Sequence, residues 1–438
     1  MDQTRFLIIG GGATGLAFAN RIAEGARAGA AGRADWLLCE AEPELGGYCR
    51  TVRRDGFVWD YSGHFFHFKH PEIERYLVQR MPPNESILKV TKVSWIRHGD
   101  RYIHFPFQKN IHQLPFEEFL ECLEGLVLRD DRPSTSFRAM LDAKLGRGIA
   151  DKFLVPYNEK LYATDLATLD VDAMGRFFPH ASLADIVRNF RQPDNASYNA
   201  TFTYPAGGAV QYIHALAQGL DPTRLRVGHA VVALDLAARI ATVRDSAGAH
   251  HDIHYEHVVS SVPFPRLLQM AGVAHDPALY TANKVLVFNL GFDKKGPPEP
   301  HWIYYAARDV VFYRVGFYDN IFGTPRMSIY VEIGLPADAP RPDEAAIAAY
   351  RERVLGDLRK VGVTTDHQLV AAHHVLLDPA YVHITRASQA DLAEKRALLV
   401  LGGVHSLGRY GGWTYCGIED NLIEAWALAD RFRALGQA

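Results

Sequence analysis

Gly10-Gly11-Gly12-Ala13-Thr14-Gly15 follows the apolar run Phe6-Leu7-Ile8-Ile9 and opens a stretch of helical composition from Ala13 to Ala26. At such a turn the first glycine permits the tight bend, the second lets backbone approach a pyrophosphate, and the third lets helix and strand pack closely. The amide groups and dipole of the helix then face the phosphates. Glu40 ends a second apolar run, Asp35-Trp36-Leu37-Leu38-Cys39, 25 residues after Gly15, which suits a ribose hydroxyl pair. Two further glycine turns choose FAD over a nicotinamide dinucleotide: Gly46-Gly47, within the segment Glu42 to Thr51, and Gly402-Gly403, after the run Ala397 to Leu401. A molecule as long as FAD needs such distant contacts, whereas a nicotinamide cofactor usually relies on one contiguous unit. The motif thus nominates Gly10, Gly12, Ala13, Thr14, Gly15, Glu40, Gly46, Gly47, Gly402 and Gly403 as cofactor contacts.

The elements that must position these residues read as an α/β protein, with a Rossmann-like FAD-binding domain, an inserted helical domain and an antiparallel sheet substrate domain. The expected cofactor domain is discontinuous, over 1–86, 207–266 and 392–438; the helical domain covers 111–192, and the substrate domain 87–110, 193–206 and 267–391. Ala28 to Ala34 is expected to be a loop lengthening the first crossover. Ile87 to Asn110 reads as short strands, and Pro115 opens a helix with Phe116, Phe119, Leu120, Leu123 and Leu126 on one face. Leu225 to Pro263 reads as a hairpin, turning at Asp245 to Gly248, that returns to a buried parallel strand. Asn283 to Gly334 reads as antiparallel sheet, Asp343 to Lys360 as a helix, Ala397 to Leu401 as a buried strand, and Asn421 to Leu435 as an amphipathic last helix.

Of the 438 residues, 48% are hydrophobic and 22% charged, the balance of a globular protein with a large core. A net charge of −3 provides no field for nucleic acid, and no run of about 18 apolar residues predicts membrane insertion. The opening residues lead almost directly into a strand, so no signal peptide is expected. Cys39, Cys49, Cys122 and Cys416 have neither metal spacing nor the density of a disulfide framework, and read as buried packing residues in a reducing cytoplasm. His250-His251 and His373-His374 likewise lack metal spacing, so no metal is expected.

Five segments, in order along most of the chain, resemble the UDP-galactopyranose mutases, particularly the eukaryotic type, within the wider amine oxidase-like flavoprotein superfamily. Tyr61-Ser62-Gly63-His64-Phe65-Phe66-His67 resembles the family's histidine loop beside the flavin. Phe105 to Asn110 and Pro156 to Tyr162 resemble two segments that line its nucleotide-sugar site. Asn199 to Pro205 is similar to the approach to the central glycine turn, and Gly408 to Tyr415 to the late signature. The resemblance implies Gly63, His64, Arg409 and Asp420 at the cofactor, and Phe107, Gln108, Asn158, Tyr162, Asn199, Tyr304, Arg314, Tyr381 and Tyr415 at the substrate. It also implies Arg314, which follows Phe312-Tyr313, and Arg176 as a pair clamping the diphosphate, with His64 tuning the flavin edge.

The chemistry so implied is redox-neutral: N5 of reduced FAD attacks the anomeric carbon of a nucleotide sugar, the nucleotide diphosphate leaves, the ring opens, and it closes again as a furanose. Cations and phenols are needed where charge grows on the leaving group. The implied role is to make galactofuranose for cell-surface polysaccharide, with NADPH or NADH as reductant, in a monomer or a homo-oligomer. Phe105, Tyr162, Ile321 and Cys416-Gly417-Ile418-Glu419-Asp420 depart from the eukaryotic pattern, which leaves UDP, GDP and dTDP carriers open. Gln192 to Asn195 and Tyr198 to Asn199 are polar turn formers suited to a lid. The alternatives are an amine oxidase-like oxidoreductase, for which an apolar or acidic cage is expected in place of two arginines, and a flavoprotein that binds without turnover.

Overall fold

The computed structural model describes residues 2–27, 35–130, 132–194 and 200–435. The crossover loop expected at 28–34, and Asn195, Tyr198 and Asn199 of the expected lid and substrate site, lie outside the described residues.

In β1 (Asp2–Ile9), Phe6 and Ile8 enter one core while Leu7 and Ile9 enter another, so the run is apolar throughout instead of alternating. Helix α1 (Ala13–Arg27) and β2 (Trp36–Cys39) complete the opening unit. A hairpin of β3 (Thr51–Arg54) and β4 (Phe57–Asp60), then α2 (Pro71–Val78), leads to β5 (Ile87–Thr91), β6 (Ser94–His98) and β7 (Arg101–His104). Next come α3 (Phe116–Val127), α4 (Phe137–Ile149), α5 (Val155–Tyr162) and α6 (Leu183–Asn189), with a π-helical stretch at Ala150–Leu154 between α4 and α5. The chain returns through β8 (Thr201–Pro205) and α7 (Val210–Ala217) to β9 (Leu225–Arg226), β10 (Ala230–Asp235), β11 (Ile240–Arg244) and β12 (His250–Ser260). After α8 (Phe264–Met270) come β13 (Lys284–Phe292), β14 (Trp302–Tyr305), β15 (Arg314–Phe317), α9 (Asp319–Phe322), β16 (Ser328–Leu335), α10 (Glu344–Lys360) and β17 (Leu369–Leu377). The chain closes with α11 (Arg386–Leu401), β18 (Val404–Ser406), α12 (Gly408–Gly411) and α13 (Ile418–Ala434).

Two sheets of seven strands position the site. One has the order β10-β11-β12-β1-β2-β9, with β18 beside β12, and its β1, β2, β12 and β18 are parallel. Ile9 lies opposite both Cys39 and Ser260, and Ser260 opposite Ser406, so four carboxyl ends come level at one edge. The other has the order β17-β13-β16-β15-β14-β6-β7 and is antiparallel except where β14 meets β6. Tyr304, Arg314 and Glu332 are direct neighbours across β14, β15 and β16 and form one cross-strand row.

Three sequence expectations need correction. Ala397 to Leu401 is not a strand but the end of α11, which starts at a capping box of Thr385 and Ser388. Leu399 is buried there while Leu398, Val400 and Leu401 are exposed; a short apolar run does not by itself separate strand from helix. The late strand is β18, so Gly402 and Gly403 sit at its start, away from the edge where the carboxyl ends meet. On α3 the buried residues are Cys122 and Leu126, whereas Phe116 is 69% exposed and Leu120 also faces out. Cys416 is half-buried, unlike the three buried cysteines.

Candidate active site

The level carboxyl ends of the first sheet open into a cavity of about 580 Å³ that reaches the second sheet. In an open parallel sheet this edge is where ligands bind. Gly10, Gly12, Ala13, Thr14, Glu40, Gly46, Gly47, Gly63, His64 and Arg409 line it. Gly46 donates its amide to the Gly11 carbonyl at 2.9 Å, which ties the first two glycine turns together. A Cβ on Gly12 would lie 3.9 Å from the Cα of Gly47, so two bare backbones face each other there. Gly15 does not line the cavity; a Cβ on it would sit 2.0 Å from the Gly10 carbonyl oxygen, consistent with the close-packing role of the third glycine.

Gly402 and Gly403 are off the cavity wall; just past β18, Arg409 lines it, and beside that residue Gly408 packs on the first glycine turn. Its φ is +79°, and a Cβ on it would lie 2.5 Å from the Thr14 hydroxyl. Glu40 is buried and accepts the amides of Gly11 (2.6 Å) and Glu42 (2.8 Å). Asp420 is also off the wall: it caps α13 through the Gly417 amide (2.7 Å) and pairs with Arg176 at 2.6 Å.

The far wall is built by the cross-strand row. Arg314 donates Nε and Nη2 to the Glu332 carboxylate at 2.5 and 2.8 Å, and the Ser62 hydroxyl donates to the same carboxylate. Tyr304, Tyr313, Tyr330, Tyr381 and Tyr415 complete this end, and Arg176 reaches it from the turn Gly175–Phe177. Tyr381 and Tyr415 stack at 5.8 Å, and the Arg409 guanidinium lies 4.6 Å from the Tyr415 ring and 5.3 Å from the Tyr381 ring. Arg409 gives Nη1 to the Cys416 carbonyl (3.0 Å), its buried Nε has no partner, and among the described residues no carboxylate pairs with it. An orphaned guanidinium donor in a cavity wall calls for an anion.

His64 lies between the two ends. Its Nδ1 is 3.1 Å from the Ser62 carbonyl, which fixes the proton there and leaves Nε2 as an acceptor. Burial pushes its pKa down to about 4, so the ring is neutral at pH 7.

The structure therefore brings together His64, Arg314, Arg176, Tyr304, Tyr381, Tyr415 and Arg409. Phe107, Gln108, Asn158 and Tyr162 lie off the cavity wall. Phe107 stacks on Phe153, Gln108 donates to the Pro179 carbonyl, Asn158 donates to the Leu154 carbonyl at 2.6 Å, and Tyr162 is fully buried beside Tyr381. These four are core residues of the helical region, which is why motif matching placed them near a site without showing which way they face. Glu332, Tyr313 and Tyr330 were missed; a single carboxylate inside the otherwise apolar strand Ser328–Leu335 was the available signal. Among the described residues no group of three His, Cys, Asp or Glu could hold a metal, and no helix is long and apolar enough to cross a membrane.

The chain is similar in fold to reduced UDP-galactopyranose mutase, with a TM-score of 0.86 at 24% identity over 99% of this chain and 94% of that one. It is also similar to a putative protoporphyrinogen oxidase from Exiguobacterium sp. 255-15 (TM-score 0.75, 18% identity, 99% of both chains). Cyclohexylamine oxidase from Brevibacterium oxydans IH-35A gives a TM-score of 0.66 at 13% identity, over 98% of this chain and 99% of that one. Residues 13–417 match the family described as flavin containing amine oxidoreductase, and the chain belongs to that family.

Proposed function

We propose that this protein binds FAD in the cavity and interconverts the pyranose and furanose forms of a UDP-galactose-like sugar nucleotide. The observation that carries this reading is the position of the arginine and tyrosine wall across one cavity from the glycine cradle. The cradle suits FAD: Gly10, Gly12 and Gly47 leave room for a pyrophosphate, and Glu40 keeps lone pairs beyond its two amide bonds for a ribose. When bound and reduced, FAD supplies the nucleophilic nitrogen for the anomeric carbon.

The protein's own groups do the rest. Glu332 occupies the Nε edge of Arg314, leaving Nη1 for a phosphate oxygen. The hydroxyls of Tyr304, Tyr381 and Tyr415 add neutral donors at the same wall, where charge grows as the diphosphate departs. Neutral His64 accepts a hydrogen bond at Nε2 without adding a charge beside the cofactor. Arg176 starts from its pair with Asp420 and has to leave that partner to clamp a substrate.

An amine oxidase-like reaction is the competing reading, and Glu332 is its best support, being a carboxylate in an aromatic wall. Arg314 already neutralises that carboxylate, so an amine gains little from it. Dithionite-reduced protein incubated with UDP-, GDP- and dTDP-sugars, with products resolved by chromatography and NMR, tests the proposal. Furanose product without stoichiometric electron consumption supports it. Peroxide released from oxidised protein with an amine, and no isomerisation, refutes it.

A further inference from the structure

Lys160 lies outside the cavity wall, on α5, yet its Nζ is the hub of the loop that carries the arginine wall. It donates to the carbonyl oxygens of Tyr305 (3.1 Å), Ala307 (2.9 Å), Val310 (3.0 Å) and Phe312 (2.5 Å). Tyr305 ends β14 and the other three lie in the segment that joins it to β15, where Tyr304 and Arg314 are cross-strand neighbours at the two strand ends. Four carbonyls converging on one point repel one another, and a cation holds them together. An ammonium suits this cage because its three protons surround a compact charge, whereas a guanidinium offers a flat fork.

Other contacts fasten the outside of the same segment. Arg308 pairs with Glu159 at 2.6 Å, Asp309 with Lys360 at 3.1 Å, and the Val311 amide donates to Asp357 at 2.7 Å. These pairs hold the rim, while Lys160 sets the inward carbonyls and through them the spacing of the two strand ends.

We propose that Lys160 is a positioning residue for the wall that receives the diphosphate, and that its four-carbonyl cage accepts a small organic ammonium when the side chain is removed. The first half rests on the mutase reading given above. Burial lowers the ammonium's pKa to about 8, against Asp309 and Asp357 and with Arg308 and Arg353 facing it, so the cage loses its charge in mildly alkaline solution.

The test compares wild type, Lys160→Ala and Lys160→Met, all loaded with flavin. Amide hydrogen exchange is followed over 305–313, and UDP affinity is measured by titration. Truncation to Ala should raise the UDP dissociation constant roughly 10-fold or more, the scale of lost charge-assisted hydrogen bonds, and should speed exchange at Tyr305 and Val311. Propylammonium, which replaces the missing atoms, should restore both, whereas propan-1-ol should restore neither. Lys160→Met should lose protection in the same segment and gain nothing from propylammonium, and it decides the matter alone if the Ala variant does not fold. Unchanged protection in the variants, or equal rescue by propan-1-ol, overturns the proposal. Wild-type protein that binds no UDP refutes the diphosphate reading instead, and the exchange and rescue data still judge the cage.

Discussion

The pair of Arg314 and Glu332 allows an asymmetric prediction. The Glu332 side chain is 1% exposed and that of Arg314 is 19% exposed, so the two ends of one ion pair differ in access to water. Arg314→Ala leaves a buried carboxylate with the Ser62 hydroxyl as its remaining donor, and breaking a buried pair in that sense costs about 3–5 kcal/mol. Glu332→Gln leaves a cavity-facing guanidinium that water reaches, and the amide oxygen still accepts one of its bonds, so the loss should be about 1–2 kcal/mol. The double variant should then be more stable than Arg314→Ala alone by about 2 kcal/mol, because the stranded charge is gone. Urea unfolding of flavin-free protein, followed by two probes to check that the transitions coincide, measures all four. UDP binding should split the same way. It falls in Arg314→Ala and rises in Glu332→Gln, since a carboxylate roughly 6 Å from the incoming anion repels it by about 3 kcal/mol at an effective dielectric near 20. Single variants of equal cost whose effects add would show that the pair is not a buried charge couple. Equal loss of UDP affinity in both would remove the outer edge of Arg314 as the diphosphate contact.

Gly408→Ala should expel the flavin, because its Cβ would meet Thr14 at 2.5 Å in a backbone with φ of +79°, while Gly402→Ala should retain it, its new neighbours being Leu236 side-chain atoms at 3.1 Å. The ratio of flavin to protein absorbance after gel filtration reads both outcomes. Burial holds His64, His301 and His405 at a pKa of about 4, below the unfolded value of about 6.5. Folded values depressed in this sense give stability that is complete above pH 6.5 and lost as pH falls toward 4, with His301 alone worth about 3 kcal/mol. Unfolding free energy measured against pH should show that fall, and His301→Gln should flatten it; a flat wild-type profile would contradict the burial argument. Arg409→Met should leave the flavin-free protein within about 1 kcal/mol of wild type, since no described carboxylate is stranded, yet should weaken retention of FAD or binding of UDP. Large destabilisation in urea with anion binding unchanged would contradict it.

Local pattern carried the nucleotide edge of the site. Gly10 to Gly15 and Glu40 follow from strand, turn and helix chemistry within some thirty residues, and the structure places all but Gly11 and Gly15 on the cavity wall. The same reasoning failed at Gly402 and Gly403, because Thr385 and Ser388 cap a helix through Leu401 and the apolar run inside it has no strand alternation to betray it. Phe107 and Tyr162 lie off the cavity wall for another reason. A motif names residue types but not rotation, and whether an aromatic side chain faces a cavity or a core is settled by neighbours such as Phe153 and Tyr381, far away in sequence. Glu332 was hidden because its partner lies across a strand pair, a relation that only the register of β15 on β16 creates.

The cavity's charge argues for what it receives. Arg314 is offset by Glu332, Arg176 by Asp420, and Arg50 by Glu42 at 3.3 Å. Of the arginines that line the cavity, Arg266 and Arg409 remain without an ion-pair partner among the described residues. Arg266 stands on α8, which packs on β10, and Arg409 stands among Tyr381, Tyr410 and Tyr415. Two guanidinium groups without a carboxylate partner suit a load with two anionic groups, one in the cofactor and one in the substrate. A cationic amine at the tyrosine end would be repelled by Arg409. If Arg266 and Arg409 serve different anions, Arg266→Ala should lower FAD affinity without changing UDP affinity in the protein that remains loaded. Both affinities falling together would mean that the two cations act on a single ligand, and the assignment of one anion to each would be wrong.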